Sequence, residues 1–190
     1  MSATAATSPR VERSKAAILA ATVALMAEDG VRGLTVDAVA ARAGVGKATV
    51  YRHWCSRAQL VSDAIETLVV ADAPIDTGSL RGDLQASCDR MRRACGAPPM
   101  GDILPSLVDA AEHDPELRRL HLQYSDRRRE GLRSALERAR ERGEVRADLD
   151  LDLACDVVAG PVFYRRLLRH DPPDESYVER LLDLVEAALR

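Results

Sequence analysis

The 27 residues from Leu34 to Leu60, LTVDAVAARAGVGKATVYRHWCSRAQL, leave few choices of local structure. Thr35 stands where a helix N-cap belongs, its hydroxyl able to accept from the free N–H groups of the next turn. Val36, Val39 and Ala40 then lay an apolar stripe along one face of a short helix. Ala43-Gly44-Val45 closes it, because Gly44 is free to take the left-handed conformation that ends helices and Val45 can pack back beneath. A second short helix follows from about Gly46 to Trp54. Val50 and Trp54, four residues apart, share one face, whereas Lys47, Ala48, Tyr51 and Arg52 lie away from it. An apolar back, with a front of one lysine, one arginine, small residues and a phenol, suits the major groove of DNA.

The remainder of the chain supplies helices to support this pair. Residues 1–9, rich in Ser, Thr and Ala, read as a disordered lead. Arg10–Asp29 is an amphipathic helix carried by Ile18, Ala21, Thr22, Leu25 and Met26, with Gly30 as its cap, and it would pack behind the helix pair. Ser56 caps a further helix from Arg57 to about Ala71, with Leu60, Val61, Ala64, Ile65 and Leu68 on its buried side. The segment 73–79, with one proline and one glycine among short polar residues, is the clearest break. Asp114-Pro115 starts a long helix to about Arg142. Leu151–His170 is helical with an expected kink at Gly160-Pro161. Asp174 opens a last helix, where Tyr177-Val178, Leu181-Leu182, Leu184-Val185 and Ala188-Leu189 form one apolar face. Something must cover that face, either the body of its own chain or another subunit.

Composition agrees with an all-α, soluble chain: 46% hydrophobic and 30% charged residues, with Gly and Pro sparse inside long Ala/Leu/Arg/Glu stretches. The formal net charge of −3 is unevenly spread. Residues 10–60 hold eight basic against four acidic side chains, a local +4 that leaves −7 for the rest. A basic head on an acidic body fits a protein that meets a polyanion at one end. The four cysteines make no CxxC pair and no metal-ligand spacing with the four histidines, so reduced thiols in a cytoplasm are expected, without metal or cofactor. No secretory leader or membrane-spanning run is read, and no nucleophile elbow, P-loop, HExxH or dinucleotide turn, so no enzymatic activity is expected.

Thr35, Val39-Ala40, Ala43-Gly44-Val45, Lys47, Thr49 through Trp54, Arg57 and Leu60 together resemble the DNA-binding domain of the TetR family of bacterial transcriptional regulators. Ile18-Leu19, Ala20-Ala21, Leu25 and Gly30 of the preceding helix match as well. Cys55 and Arg57 depart from the commoner family pattern. The resemblance implies an all-α fold of about nine helices, with a three-helix, helix-turn-helix DNA-binding domain at 10–56 and a helical ligand-binding and dimerisation domain at 57–190. It implies that Lys47, Ala48 and Thr49 face bases of double-stranded DNA, and that Thr35, Tyr51, Arg52, His53 and Arg57 mostly meet phosphates.

One head offers too little surface for a specific site, so a dimer on a palindromic operator is expected. Family resemblance puts the dimer contact on the last two helices, through Val157, Val162, Tyr177, Val178, Leu181, Leu182, Val185 and Leu189. It also implies an effector pocket in the body, for which Met91, Leu104, Leu107, His121, Tyr124 and Phe163 are the candidate lining. The function implied is a regulator, repression being the family's common mode, released by an unknown small-molecule effector. The alternative is a dimeric small-molecule-binding or scaffold protein without operator binding.

Overall fold

A computed structural model describes residues 9–68 and 74–190. They form nine helices and no strand, as an all-α chain should: α1 Pro9–Gly33, α2 Val36–Ala43, α3 Lys47–His53, α4 Arg57–Thr67, α5 Leu80–Gly96, α6 Met100–His113, α7 Pro115–Glu141, α8 Leu151–Leu167 and α9 Glu175–Leu189. Two compact units result, one of residues 9–68 with 102–121, the other of residues 74–101 with 122–190. The expected disordered lead falls outside the described residues except for Pro9, which opens α1, and so does the expected end of the fourth helix near Ala71.

In the first unit α1 packs on α2 and α4, and α2 on α3. Ile18, Ala21, Leu25 and Met26 recur at helical spacing and are buried, while the buried Thr22 hydroxyl donates back to the Ile18 carbonyl at 2.8 Å. Gly30 interrupts α1 with φ 75°, and Val31 to Gly33 resume the helix beyond it. The Val31 N–H, freed by that break, donates to the Ser106 hydroxyl at 3.2 Å. A Cβ at position 30 would sit 3.3 Å from the Ser106 Cβ, so both the backbone angle and the space ask for glycine. On α4, Leu60, Val61, Ala64 and Ile65 are buried, as the sequence spacing predicts.

The second unit closes around one core. Leu80, Leu84 and Cys88 of α5, Leu132, Leu136 and Ala139 of α7, Ala154, Cys155 and Val158 of α8, and Val178, Leu182, Val185 and Leu189 of α9 meet there. Burial pushes the Cys88 thiol up to about 12 and the Cys95 thiol to about 11, so neither is a ready nucleophile. Asp83 is buried in α5. Its Oδ1 accepts from the Thr77 N–H at 2.6 Å and the Thr77 hydroxyl at 2.8 Å, while Arg138 and Arg142 stand 3.5 and 3.9 Å from Oδ2. These bonds fasten the chain entering α5 to the helix itself.

α8 continues through Gly160-Pro161 as one helix to Leu167, with the proline inside it. Among the residues assigned to a dimer surface, Val178, Leu182, Val185 and Leu189 are consumed by the core of their own unit, and Val162 is also buried within the chain. Their spacing marks a buried face but does not say whose surface buries it. Tyr177 and Leu181 stay half-buried, and Val157 is exposed. With Leu153, Tyr164 and Leu168 it forms an outward apolar stripe along α8, and Leu184 of α9 is 74% exposed.

Candidate nucleic-acid interface

The turn between α2 and α3 is built as its residues demand. The Thr35 hydroxyl accepts from the Ala38 N–H at 3.1 Å and caps α2. Gly44 takes φ 65° and ψ 34°, and the Val45 N–H reaches back to the Ala40 carbonyl at 3.0 Å, which completes a Schellman closure. The chain then re-enters helix at Lys47. Val50 and Trp54 are 1% and 2% exposed and seat α3. The Trp54 indole N–H donates to Asp63 Oδ2 at 2.9 Å, and Gln59 donates to the other carboxylate oxygen at 2.7 Å. One end of α3 is therefore tied to the middle of α4 by a buried ring with a satisfied polar handle.

That seating turns the opposite face outward. Lys47, Ala48, Tyr51 and Arg52 are all exposed on α3, while Thr49 and His53 are half-buried. The His53 ring meets Trp54 edge-on, with centroids 5.4 Å apart. Thr35 is exposed at the start of α2, with its hydroxyl already engaged as a cap. Lys47 Nζ lies 2.8 Å from Asp37 Oδ1 and 2.9 Å from Oδ2. The hydrogen bond and charge of that carboxylate hold the Lys47 pKa above the ordinary lysine value. Behind this face, Arg42 forms a two-pronged bond to Glu28 at 2.9 and 2.6 Å, joining α2 to α1.

Arg57, for which the family resemblance implies a phosphate contact, is engaged within its own unit. Its guanidinium donates to the Val31 carbonyl at 2.8 Å and to Asp114 Oδ2 at 3.2 Å. The first bond satisfies a carbonyl next to the α1 break, and the second reaches the cap of α7. Asp114 in turn accepts from the Glu116 and Leu117 N–H groups, both at 3.1 Å. Ser56, which caps α4 through Gln59 N–H at 3.1 Å, donates its own proton to Glu116 at 2.8 Å. Two side-chain contacts thus join the separately capped starts of α4 and α7. Sequence gives no hint of this pairing, since Arg57 and Asp114 are 57 positions apart. Nor does sequence mark the contacts of Asp37 with Lys47 and of Asp63 with Trp54. A carboxylate in the first helical turn reads as dipole compensation, and only the folded turn brings Asp37 to Lys47.

The six candidate pocket residues divide between the units. Leu104 and Leu107 are buried in the first, where His121 is half-buried and burial lowers its pKa; Met91, Tyr124 and Phe163 are half-buried in the second. A cleft of about 560 Å³ in the second unit is lined by residues around Arg81, Glu144, Arg146 and Arg190 and includes none of the six. Among the described residues no group of three or more His, Cys, Asp and Glu could hold a metal ion, and no helix is long and apolar enough to cross a membrane.

A short helix seated by its apolar back, led by a tight turn and showing cations and a phenol outward, defines a helix-turn-helix DNA-binding protein. Residues 18–64 match the family model of bacterial regulatory proteins of the tetR family, and residues 74–185 match the tetracyclin repressor-like C-terminal domain. The chain belongs to the TetR family of DNA-binding transcriptional regulators. It is 32% identical over 176 residues to the HTH-type transcriptional regulator YdeS of Bacillus subtilis, covering 92% of this chain and 88% of YdeS. It is 37% identical over 110 residues to the DNA-binding transcriptional repressor TetR of Mycobacteroides abscessus, covering 57% of each. Among solved structures it resembles the TetR family transcription regulator SCO0332, at 32% identity, with a TM-score of 0.71 over 93% of this chain and 98% of that one.

Proposed function

We propose that this regulator is a homodimeric repressor that reads a palindromic operator through α3 and leaves it when a small molecule fills the body. The observation that carries the DNA reading is the orientation of α3. Val50 and Trp54 are buried in the core, so Lys47, Ala48, Tyr51 and Arg52 are all exposed on the side that can face a groove. Lys47, Ala48 and Thr49 are assigned to base edges; Tyr51, Arg52, His53 and Thr35 are assigned to the phosphates on either side. Arg57 has a supporting role, holding α4 where the reading helix needs it. Double-stranded DNA is the only macromolecular partner proposed besides a second copy, and no cofactor, metal or catalytic step is assigned.

The outward stripe Leu153, Val157, Tyr164 and Leu168, with Leu184, supports pairing of α8 and α9 between two copies. Repression is supported by the likeness to a relative named as a repressor. Site of action is the cytoplasm, where the DNA and a diffusible effector meet. Met91, Leu104, Leu107, His121, Tyr124 and Phe163 remain the residues proposed to touch that effector. An electrophoretic shift assay on the DNA flanking its own gene tests the reading, first without additions and then with candidate metabolites. A fragment retarded by the protein and released by one metabolite supports it. No fragment retarded above random-sequence DNA favours a scaffold or ligand-binding role instead.

A further inference from the structure

A carboxylate beside a polyanion is unfavourable unless it serves some other purpose, and Asp37 is such a carboxylate. It lies in the first turn of α2, well exposed, with both oxygens within 2.9 Å of the ammonium of Lys47, the residue that leads the reading helix. Lysine is a point charge on a flexible four-carbon stem and ordinarily meets any phosphate in reach. Here its head is held at one place across the start of α3, and its charge is partly cancelled. A phosphate that draws Lys47 away must also approach Asp37, which repels it. Arg52, five residues further along α3 and also exposed, has no carboxylate partner among the described residues and is left for phosphate contact.

We propose that Asp37 is a specificity-determining residue of the DNA interface, fixing Lys47 as a donor to a base edge and denying it to the phosphate backbone. The proposal rests on α3 being the reading helix. A duplex that offers an acceptor where Lys47 is held gains a hydrogen bond without displacing Asp37. A duplex that offers only phosphates meets a screened cation and a repelling anion. Asp37 therefore lowers non-specific affinity more than specific affinity, and the ratio between them is what a regulator in a genome needs.

The test begins with selection of a preferred site from a randomised duplex pool by the wild-type full chain. Affinities of the wild type, Asp37→Asn and Asp37→Glu are then measured for that site and for a scrambled duplex of equal length across a salt series. The Asn variant should bind the scrambled duplex about tenfold more tightly, with a salt slope steeper by about 0.9 as Lys47 takes up a phosphate. Its preference for the selected site should fall by about tenfold, within the worth of one base-edge contact. Its own selected sequence should lose definition at one base pair per half-site. The Glu variant should retain most of the discrimination, and adding Lys47→Ala to Asp37→Asn should remove the extra slope. Thermal melting without DNA separates these effects from folding. If the Asn variant tightens both duplexes by the same factor and selects an unchanged sequence, Asp37 acts as background charge and the proposal is overturned. If the wild type enriches no sequence, the reading role of α3 fails and the proposal fails with it.

Discussion

Trp54 and Asp63 show how one buried contact sets the angle of a reading helix. The ring fills the core, and its N–H has a single carboxylate to meet. Asp63→Ala leaves that donor buried without a partner, at a cost of about 1–3 kcal/mol seen as a lower urea midpoint. Asp114 offers a pH signature. Its pKa is lowered chiefly by the Leu117 N–H, and further by the Arg57 guanidinium and the Glu116 N–H. A carboxylate whose folded pKa is depressed contributes stability above its unfolded value, and that contribution is lost as pH falls through the folded value. Asp114→Asn should therefore destabilise by about 0.5–1 kcal/mol at neutral pH, a gap that closes in acid, below the ordinary aspartate range, because protonated Asp and Asn then differ little. Thermal melts at the two pH values check it. Arg52→Ala should weaken binding to every duplex alike and reduce the salt slope by about 0.9, whereas a loss confined to one sequence would make Arg52 a base reader.

The helices themselves were legible wherever their signals are local. Thr35, Gly44, Ser56, Asp114 and Asp174 announce helix ends within three or four residues, and each serves as the cap or closure its type suggests. The back of α3 was equally plain, since Val50 and Trp54 recur at helical spacing and the exposed residues fall between them. What could not be read was anything joining distant segments. The contact of Arg57 with Asp114, the bond from Val31 to Ser106 and the approach of Arg138 to Asp83 depend on the assembled unit. The last helix is the sharpest case, because its apolar face was visible but not the surface that covers it. Two substitutions separate those surfaces. Leu182→Ala opens a cavity in the core and should cost about 2–5 kcal/mol of stability. Val157→Glu, placed on the outward stripe of α8, should leave the melting of the single chain nearly unchanged while converting a dimer to a monomer in sedimentation. A dimer that survives this change would move the proposed contact elsewhere.

For the whole molecule, charge and symmetry complete the account. The positive segment at 10–60 contains α3, and the remaining sequence carries the negative excess, so the cations of α3 stand in the basic part of the chain. One head contacts only a few base pairs, and pairing two doubles the sequence read and fixes the spacing of half-sites. Sequence-specific reading by α3 is decided by a titration of DNA fragments flanking its own gene, followed by shift or anisotropy against excess random-sequence competitor. One fragment should be bound by two copies of the chain at half-sites about 10 base pairs or a multiple apart, with binding lost in Lys47→Ala combined with Tyr51→Ala. Equal binding to all fragments, or binding unaltered in the double variant, would contradict it.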